Sequence, residues 1–498
     1  MRPYVFALTS ICALYGAPSA DPSLEAARAL IRRGIDTMGG EAKLAGIQGL
    51  KLEGVGRTAW VEQSERPEGP FVHSYEQFTE WQDLKGHRLR RESSTRGLQP
   101  LAWSPATSLV VTSEGGVVTL GQRPTPARGA QLDEAARALS LNPAKLMLSA
   151  ASAEDLSTEP DATLFGTPHS VVRFQAGPLL TRLLLNQRTG LPDAVETTQA
   201  FRDFWCYWGD VRDRITLGDW ELEHGVRTPR LWEESRNGQA WREWTITGVE
   251  LNPSYPDRAF EADATALETS RKAATSPGMF SFAFSAAKAL EPFPGLVIIP
   301  GAWYLAFVRT DEGLTLLEAP ISESYTQGAM AEAAVRFPGA KLTQVISTSD
   351  SWPHHGGVRS AVAAGLPVAI LDLNQPLLDR IVSAPWTIHP DALQKARKQA
   401  KWRPISSRTI LGKGPNRMEL IPLRGNTTER QMMVYFPERR LLYASDTIAF
   451  QDGQLFNPAQ VDEVVRAVAR EKLDVETVFA MHAAPMRWSR VLELLGGN

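Results

Sequence analysis

The chain has 498 residues, more than one ordinary hydrophobic core accommodates, so two domains are the first expectation. It is 43% hydrophobic and 22% charged, a globular composition, and its net charge of −3 offers no electrostatic footprint for nucleic acid. No basic arm, low-complexity tract or repeat of fixed period is present.

Residues 1–20 read as an export leader. Arg2 gives a short positive start, Val5 to Tyr15 an apolar run too short to span a bilayer, and Ala17-Pro18-Ser19-Ala20 a small-residue exit. Cys12 follows the bulky Ile11, a poor context for lipid-anchor processing. The expectation is therefore a soluble exported protein, periplasmic or secreted, with no transmembrane segment in the mature chain. Removal of the leader leaves Cys206 as the single cysteine, so any metal falls to histidines and carboxylates.

Asp21 is placed to cap a helix that Pro22 opens and Gly39-Gly40 ends. Beyond it, Leu50 to Gly54, Val110 to Thr112, Val117 to Leu120 and Leu180 to Leu185 predict strands. Leu231-Trp232-Glu233 and Trp241 to Leu251 flank Asn237-Gly238, a pair that tolerates positive φ and so predicts a hairpin turn. Trp232, Trp241 and Trp244 are expected on one face or at its rim, and one helical insertion is expected over Asp133 to Ser149. A leading helix ending in Gly-Gly and followed by long hairpins resembles the curved antiparallel sheet of lipoprotein carriers. That resemblance implies a concave apolar face for a hydrophobic ligand or partner.

This β-rich domain is assigned to residues 21–260. Residues 261–285, small and polar around Ser276-Pro277-Gly278, read as a linker to a second domain at 286–498. There Leu296 to Gly301, Trp303 to Val308 and Leu314 to Glu318 predict strands, and Gln327 to Arg336 a helix. A strand at Leu342 to Ser347, a helix at Gly357 to Ala364 and a strand at Pro367 to Leu371 follow, an alternation that implies a layered α/β arrangement.

The informative segment is Thr348-Ser349-Asp350-Ser351-Trp352-Pro353-His354-His355-Gly356-Gly357, between a predicted strand and helix. It resembles the metallo-β-lactamase superfamily signature Thr-His-x-His-x-Asp-His-x-Gly-Gly. Alignment on the two glycines puts Ser349 and Ser351 at the first two histidines, Pro353 at the aspartate and His354 at the last histidine. Further landmarks follow in order. Glu318-Ala319-Pro320 ends the preceding strand, and Gly425-Asn426-Thr427-Thr428 matches Gly-x-x-His with Thr428 at the histidine. Leu441 to Asp446 matches the strand that delivers the bridging aspartate, and Val478 to His482 the strand ending in the final histidine.

The resemblance implies an αββα sandwich in the second domain, an α+β chain of two domains overall, and a site built for two metals. Its first metal position here holds Ser349, Ser351 and Thr428, neutral hydroxyls that replace imidazole poorly. The second keeps His354, Asp446 and His482, with Asp350 and His355 as extra donor candidates, enough for one zinc, iron or manganese ion. His73, His87, His169 and His224 lie scattered in the β-domain, and His389 precedes Pro390 in a loop near the second domain's middle. A Ser349 nucleophile with His354 as base is a lesser alternative, with no Gly-x-Ser-x-Gly elbow to support it. Two functional expectations follow: a divergent one-metal hydrolase or its inactive descendant, or a non-catalytic protein whose β-domain holds an apolar ligand or partner.

Overall fold

The computed structural model describes residues 22–61, 66, 68–97, 103–255, 258–273, 282–451 and 453–496. The expected leader and the Asp21 cap lie outside them. The first helix runs over Pro22–Met38 and stops where Gly39 and Gly40 take φ of 132° and 90°. No described helix is long and apolar enough to cross a membrane.

Thirteen described strands form one antiparallel sheet, from Arg123–Pro126 at one edge to Ser157–Leu164 at the other. Gly49–Ala59 and Gln239–Leu251 pair at its centre, so one half meanders out to an edge and the other meanders back. Asn237 and Gly238 make the hairpin turn with φ of 49° and 82°. A bulge follows. Glu234 faces Arg242 while Ser235 faces Ala240, leaving Trp241 as the extra residue. The three tryptophans therefore separate: Trp232 and Trp244 sit opposite each other across the strands, and Trp241 packs with Trp205 in the core between the two domains.

The helical insertion is two helices, Gly129–Ser140 and Pro143–Ser152. Pro143 cannot continue the first helix, and the Asn142 side chain caps the second by accepting from Ala144 and Lys145. The first of them lies over the sheet and carries ions. Glu134 pairs with Arg242, and Arg137 pairs with Asp213 and Glu234. Arg236, with no exposed surface, pairs with Glu234 and Asp203. The expected apolar concave face is thus met only in part, because a layer of ion pairs runs through it.

Part of the expected linker is also ordered. Ala264–Ala273 is a helix docked on this sheet, where the Ser270 hydroxyl accepts from Gly116 N–H and donates to the Ala127 carbonyl. Residues 274–281 lie outside the described set.

The second domain has four layers. A mixed sheet of seven strands (first Leu290–Phe293, last Lys401–Ile405) faces one of six. Alternation along the strands sorts the side chains: Leu296, Ile298, Ala306 and Val308 point to the shared core with Leu420, Val434, Phe436 and Phe479. Val297, Ile299, Leu305 and Phe307 point outward, under the helices Glu323–Arg336, Val358–Ala364 and Gln375–Ser383. The other sheet is covered by Pro458–Arg470 and Trp488–Leu494. This is the αββα sandwich the signature implied.

The two domains share one core. Trp205, Tyr207, Trp208 and Trp241 of the first belong to the cluster that contains Trp352 and Ile321 of the second. Asp210 adds a polar clasp, its carboxylate accepting from Thr387 N–H and Oγ1 and from Ile388 N–H. Replacing Arg236 with Ala leaves Glu234 and Asp213 buried with one cation fewer. Urea denaturation should show a loss of about 3–5 kcal/mol.

Candidate functional site

The signature segment leaves the strand Leu342–Ser347, turns through Thr348 to Ser351, and enters a helix of four residues, Trp352–His355. Thr348 is fixed on both sides. Its N–H and Oγ1 donate to the Glu318 carboxylate, and its carbonyl accepts from Met432 N–H. Its Oγ1 also lies 2.8 Å from Ser445 Oγ, beside Asp446. Tyr443 Oη donates to Glu318 as well, at 3.2 Å. Burial dominates this carboxyl and pushes it up to about 8, although the donated hydrogen bonds oppose the shift.

Gly356 and Gly357 are needed for close approach. A Cβ on Gly356 would lie 2.5 Å from the Ile321 carbonyl and 2.7 Å from the Tyr207 ring; one on Gly357 would lie 1.8 Å from Thr326 Oγ1. Between them the helix is pressed onto the first domain. Trp352, 1% exposed, meets Trp205 at 5.0 Å and Trp208 at 5.3 Å, both edge to face.

The structure brings three of the expected residues together. Ligand atoms of His354, Asp446 and His482 all lie within 4.8 Å of one another. His482 Nε2 is 3.0 Å, and His354 Nε2 3.6 Å, from Asp446 Oδ1. Asp446 and His482 follow the strands Leu441–Tyr443 and Thr477–Ala480, which pair in parallel, so both arrive at the same end of the sheet. Trp303 packs on the His482 ring at 5.8 Å.

Electrostatics differentiates the three. Burial drives His354 down to about 4, so its ring is neutral. Burial opposes ionisation of Asp446 too, but His354 and the hydrogen bond from His482 hold its carboxyl below the usual range. His482 resists burial through Asp446 and the Ala302 backbone, which raise it above an ordinary histidine.

The other expected donors stand apart. His355 turns its Nδ1 to Ser347 Oγ at 3.1 Å, and burial with His354 nearby pushes it down to about 3. Asp350 is outside the three-residue group. Burial raises its carboxyl to about 8, with Arg430 opposing and Asp446 adding to the shift. Pro353 serves the backbone, its carbonyl accepting from Ile321 N–H. His389 is exposed, as is His224, while His169 is buried and satisfied by Asp193 and the Thr167 carbonyl.

The hydroxyls at the first metal position are engaged locally. Ser349 Oγ accepts from Ser351 N–H at 3.2 Å. Thr428 Oγ1 donates to Glu463 at 2.7 Å, and the same carboxylate accepts from Thr427 N–H. Glu463 stands on the helix Pro458–Arg470, 35 residues downstream of Thr428, and no local pattern announces it. Nor does any single segment announce the tryptophan support beneath the signature helix. At the rim, Arg66 and Glu68 of the first domain pair with Glu429 and Arg430.

No family model matches the chain, and no curated protein does. Among solved structures, a metallo-β-lactamase from Pontibacter korlensis is similar at 15% identity, over 42% of this chain and 97% of its own, with a TM-score of 0.34. TMB-1 is similar at 15% identity over 42% and 95%, and the DIM-1 metallo-β-lactamase at 13% over the same shares, both with a TM-score of 0.33. These are distant likenesses of fold.

Two outcomes test this geometry. Trp208→Ala opens a cavity under the signature helix and should cost about 3–5 kcal/mol in denaturant unfolding. Glu318 binds its proton more tightly folded than unfolded, so its stabilising contribution is full below its ordinary range and fades as pH rises through about 8. Stability curves of the native chain and Glu318→Gln, recorded against pH, should therefore shift in favour of the variant across that window; parallel curves would contradict the assignment.

Proposed function

We propose that the second domain is a divergent metal-dependent hydrolase that uses one divalent ion, zinc or iron or manganese, held by His354, Asp446 and His482. The convergence of three ligand atoms within 4.8 Å carries this reading. Ligands bound about 2.0–2.1 Å from a tetrahedral zinc stand about 3.3 Å apart, and the spacings of 3.0 and 3.6 Å bracket that value. Protonation also suits the role, with a neutral His354 and an ionised Asp446.

When bound, such an ion supplies Lewis-acid polarisation and an open coordination position. Around it the chain's own groups divide the work. The contact between His482 Nε2 and Asp446 Oδ1 is one the ion would replace, and the hydrogen bond between the His482 ring and the Ala302 backbone is the support that would keep the ring oriented. His354 has a buried Nδ1 with no partner, which makes its support weaker than that of His482. The serines and threonine leave the first position without imidazole or carboxylate donors, so a two-metal reaction is not part of the proposal. Export through residues 1–20 belongs to the same reading.

Metal titration of the purified full chain should give one equivalent of zinc or cobalt(II), with affinity falling more than about 100-fold in His354→Ala and His482→Ala. His482 must lose its proton to bind, so affinity should increase as pH is raised from about 6 to about 8. Absence of binding, or occupancy unchanged in both variants, would overturn the proposal and favour a non-catalytic role.

A further inference from the structure

The thirteen-stranded sheet encloses a cavity of about 260 Å³ beneath the helix Gly129–Ser140. Its floor depends on two glycines. A Cβ on Gly54 would lie 2.7 Å from the Phe78 ring, and one on Gly56 would lie 2.2 Å from Trp244 Cδ1, so only bare backbone lets both rings lie across that strand. Leu52, Leu109, Trp232 and Ile246 complete an apolar side. Thr95, exposed, and Ser74, half-buried, stand where the wall reaches the surface.

The remaining wall is ionic and unbalanced. Glu76, Glu80, Glu134 and Glu234 line it, and Asp213 and Asp203 join the same network from behind. Arg91, Arg137, Arg236 and Arg242 are the cations paired with them. Carboxylates outnumber guanidiniums by two. Burial and the neighbouring Glu234 push Asp213 up to about 7, while Arg236 and Arg137 hold the equally buried Glu234 well below the usual carboxylate range, so the two carboxyls of the pair respond in opposite directions. Gln82, 3% exposed on the same wall, donates to Glu80 through Nε2 while its Oε1 has no hydrogen-bond partner. The excess of carboxylates over guanidiniums, with Gln82 Oε1 unpartnered beside an apolar surface, points to the complementary ligand: a positively charged group with N–H donors, joined to a short hydrocarbon.

We propose that this cavity is a binding site for a small alkylammonium-type cation, its nitrogen held among Glu76, Glu80 and Glu134 and its apolar arm against Trp232, Leu109 and Ile246. The surplus charge selects against fatty-acid-like anions, which would bring a further carboxylate into a wall already crowded with them. The site is separate from the His354, Asp446 and His482 cluster and does not rest on the metal proposal.

Isothermal titration of the full chain with n-hexylammonium chloride, sodium hexanoate and 1-hexanol tests it. The ammonium should bind saturably at one site, at least about tenfold tighter than the alcohol, because the charge-assisted contacts are the part the alcohol lacks. Hexanoate should not bind. Glu80→Gln should weaken the ammonium about tenfold while keeping the pair between Arg91 and Glu76. Ala138→Phe, which places a ring in the cavity, should abolish binding in a protein whose thermal melt remains cooperative. No saturable ammonium binding, hexanoate binding as tightly as the ammonium, or ammonium binding unchanged in Glu80→Gln would each overturn the proposal.

Discussion

The signature helix is four residues long, too short to hold its own shape, and the site depends on the surface against which it is pressed. That surface is the edge-to-face contact of Trp352 with Trp205 and Trp208. His354 lies two residues beyond Trp352, so its position follows from aromatic packing supplied by a different domain. The Asp210 clasp on Thr387 and Ile388 adds a polar fixing point to the same interface. The β-domain is therefore part of the site's foundation, although it contributes none of the three clustered side chains.

Much of the second domain was legible in sequence because its signals are local. Strand-to-helix turns, paired glycines and short apolar runs fix Leu342–Ser347, Val358–Ala364 and Pro367–Leu371 almost to the residue. The landmarks His354, Asp446 and His482 lie far apart in sequence, and their order along known strand ends was enough to foresee that they meet. What stayed hidden depends on tertiary placement. Glu463 and Glu318 are ordinary glutamates in the sequence, and only the folded chain brings them to Thr428 and Thr348. The bulge at Trp241 is likewise a register effect, set by pairing with Ser235 and Glu234. The ionic layer of the β-domain escaped notice because alternating charged residues in strands usually signal an outward face.

The two halves of the site differ in chemistry. Around His354, Asp446 and His482, burial and mutual contact leave one neutral ring, one anion and one ring of raised basicity. Around Ser349 and Ser351 the turn hydrogen-bonds to itself, while Thr428 is tied to the Glu463 carboxylate. Charge is concentrated on the first side and satisfied by neutral dipoles on the second.

The Glu463 contact gives that asymmetry a mechanical consequence. With its carboxylate accepting from Thr427 N–H and Thr428 Oγ1, Glu463 anchors the loop to the helix Pro458–Arg470. Even Gly425 is bound by it, since a Cβ there would fall 2.0 Å from Glu463 Oε2. Loss of the Thr428 hydroxyl would leave the half-buried Glu463 carboxylate with its backbone donors alone. Loop and helix are therefore coupled through one carboxylate, and a change at Gly425, Thr428 or Glu463 is felt at the other two.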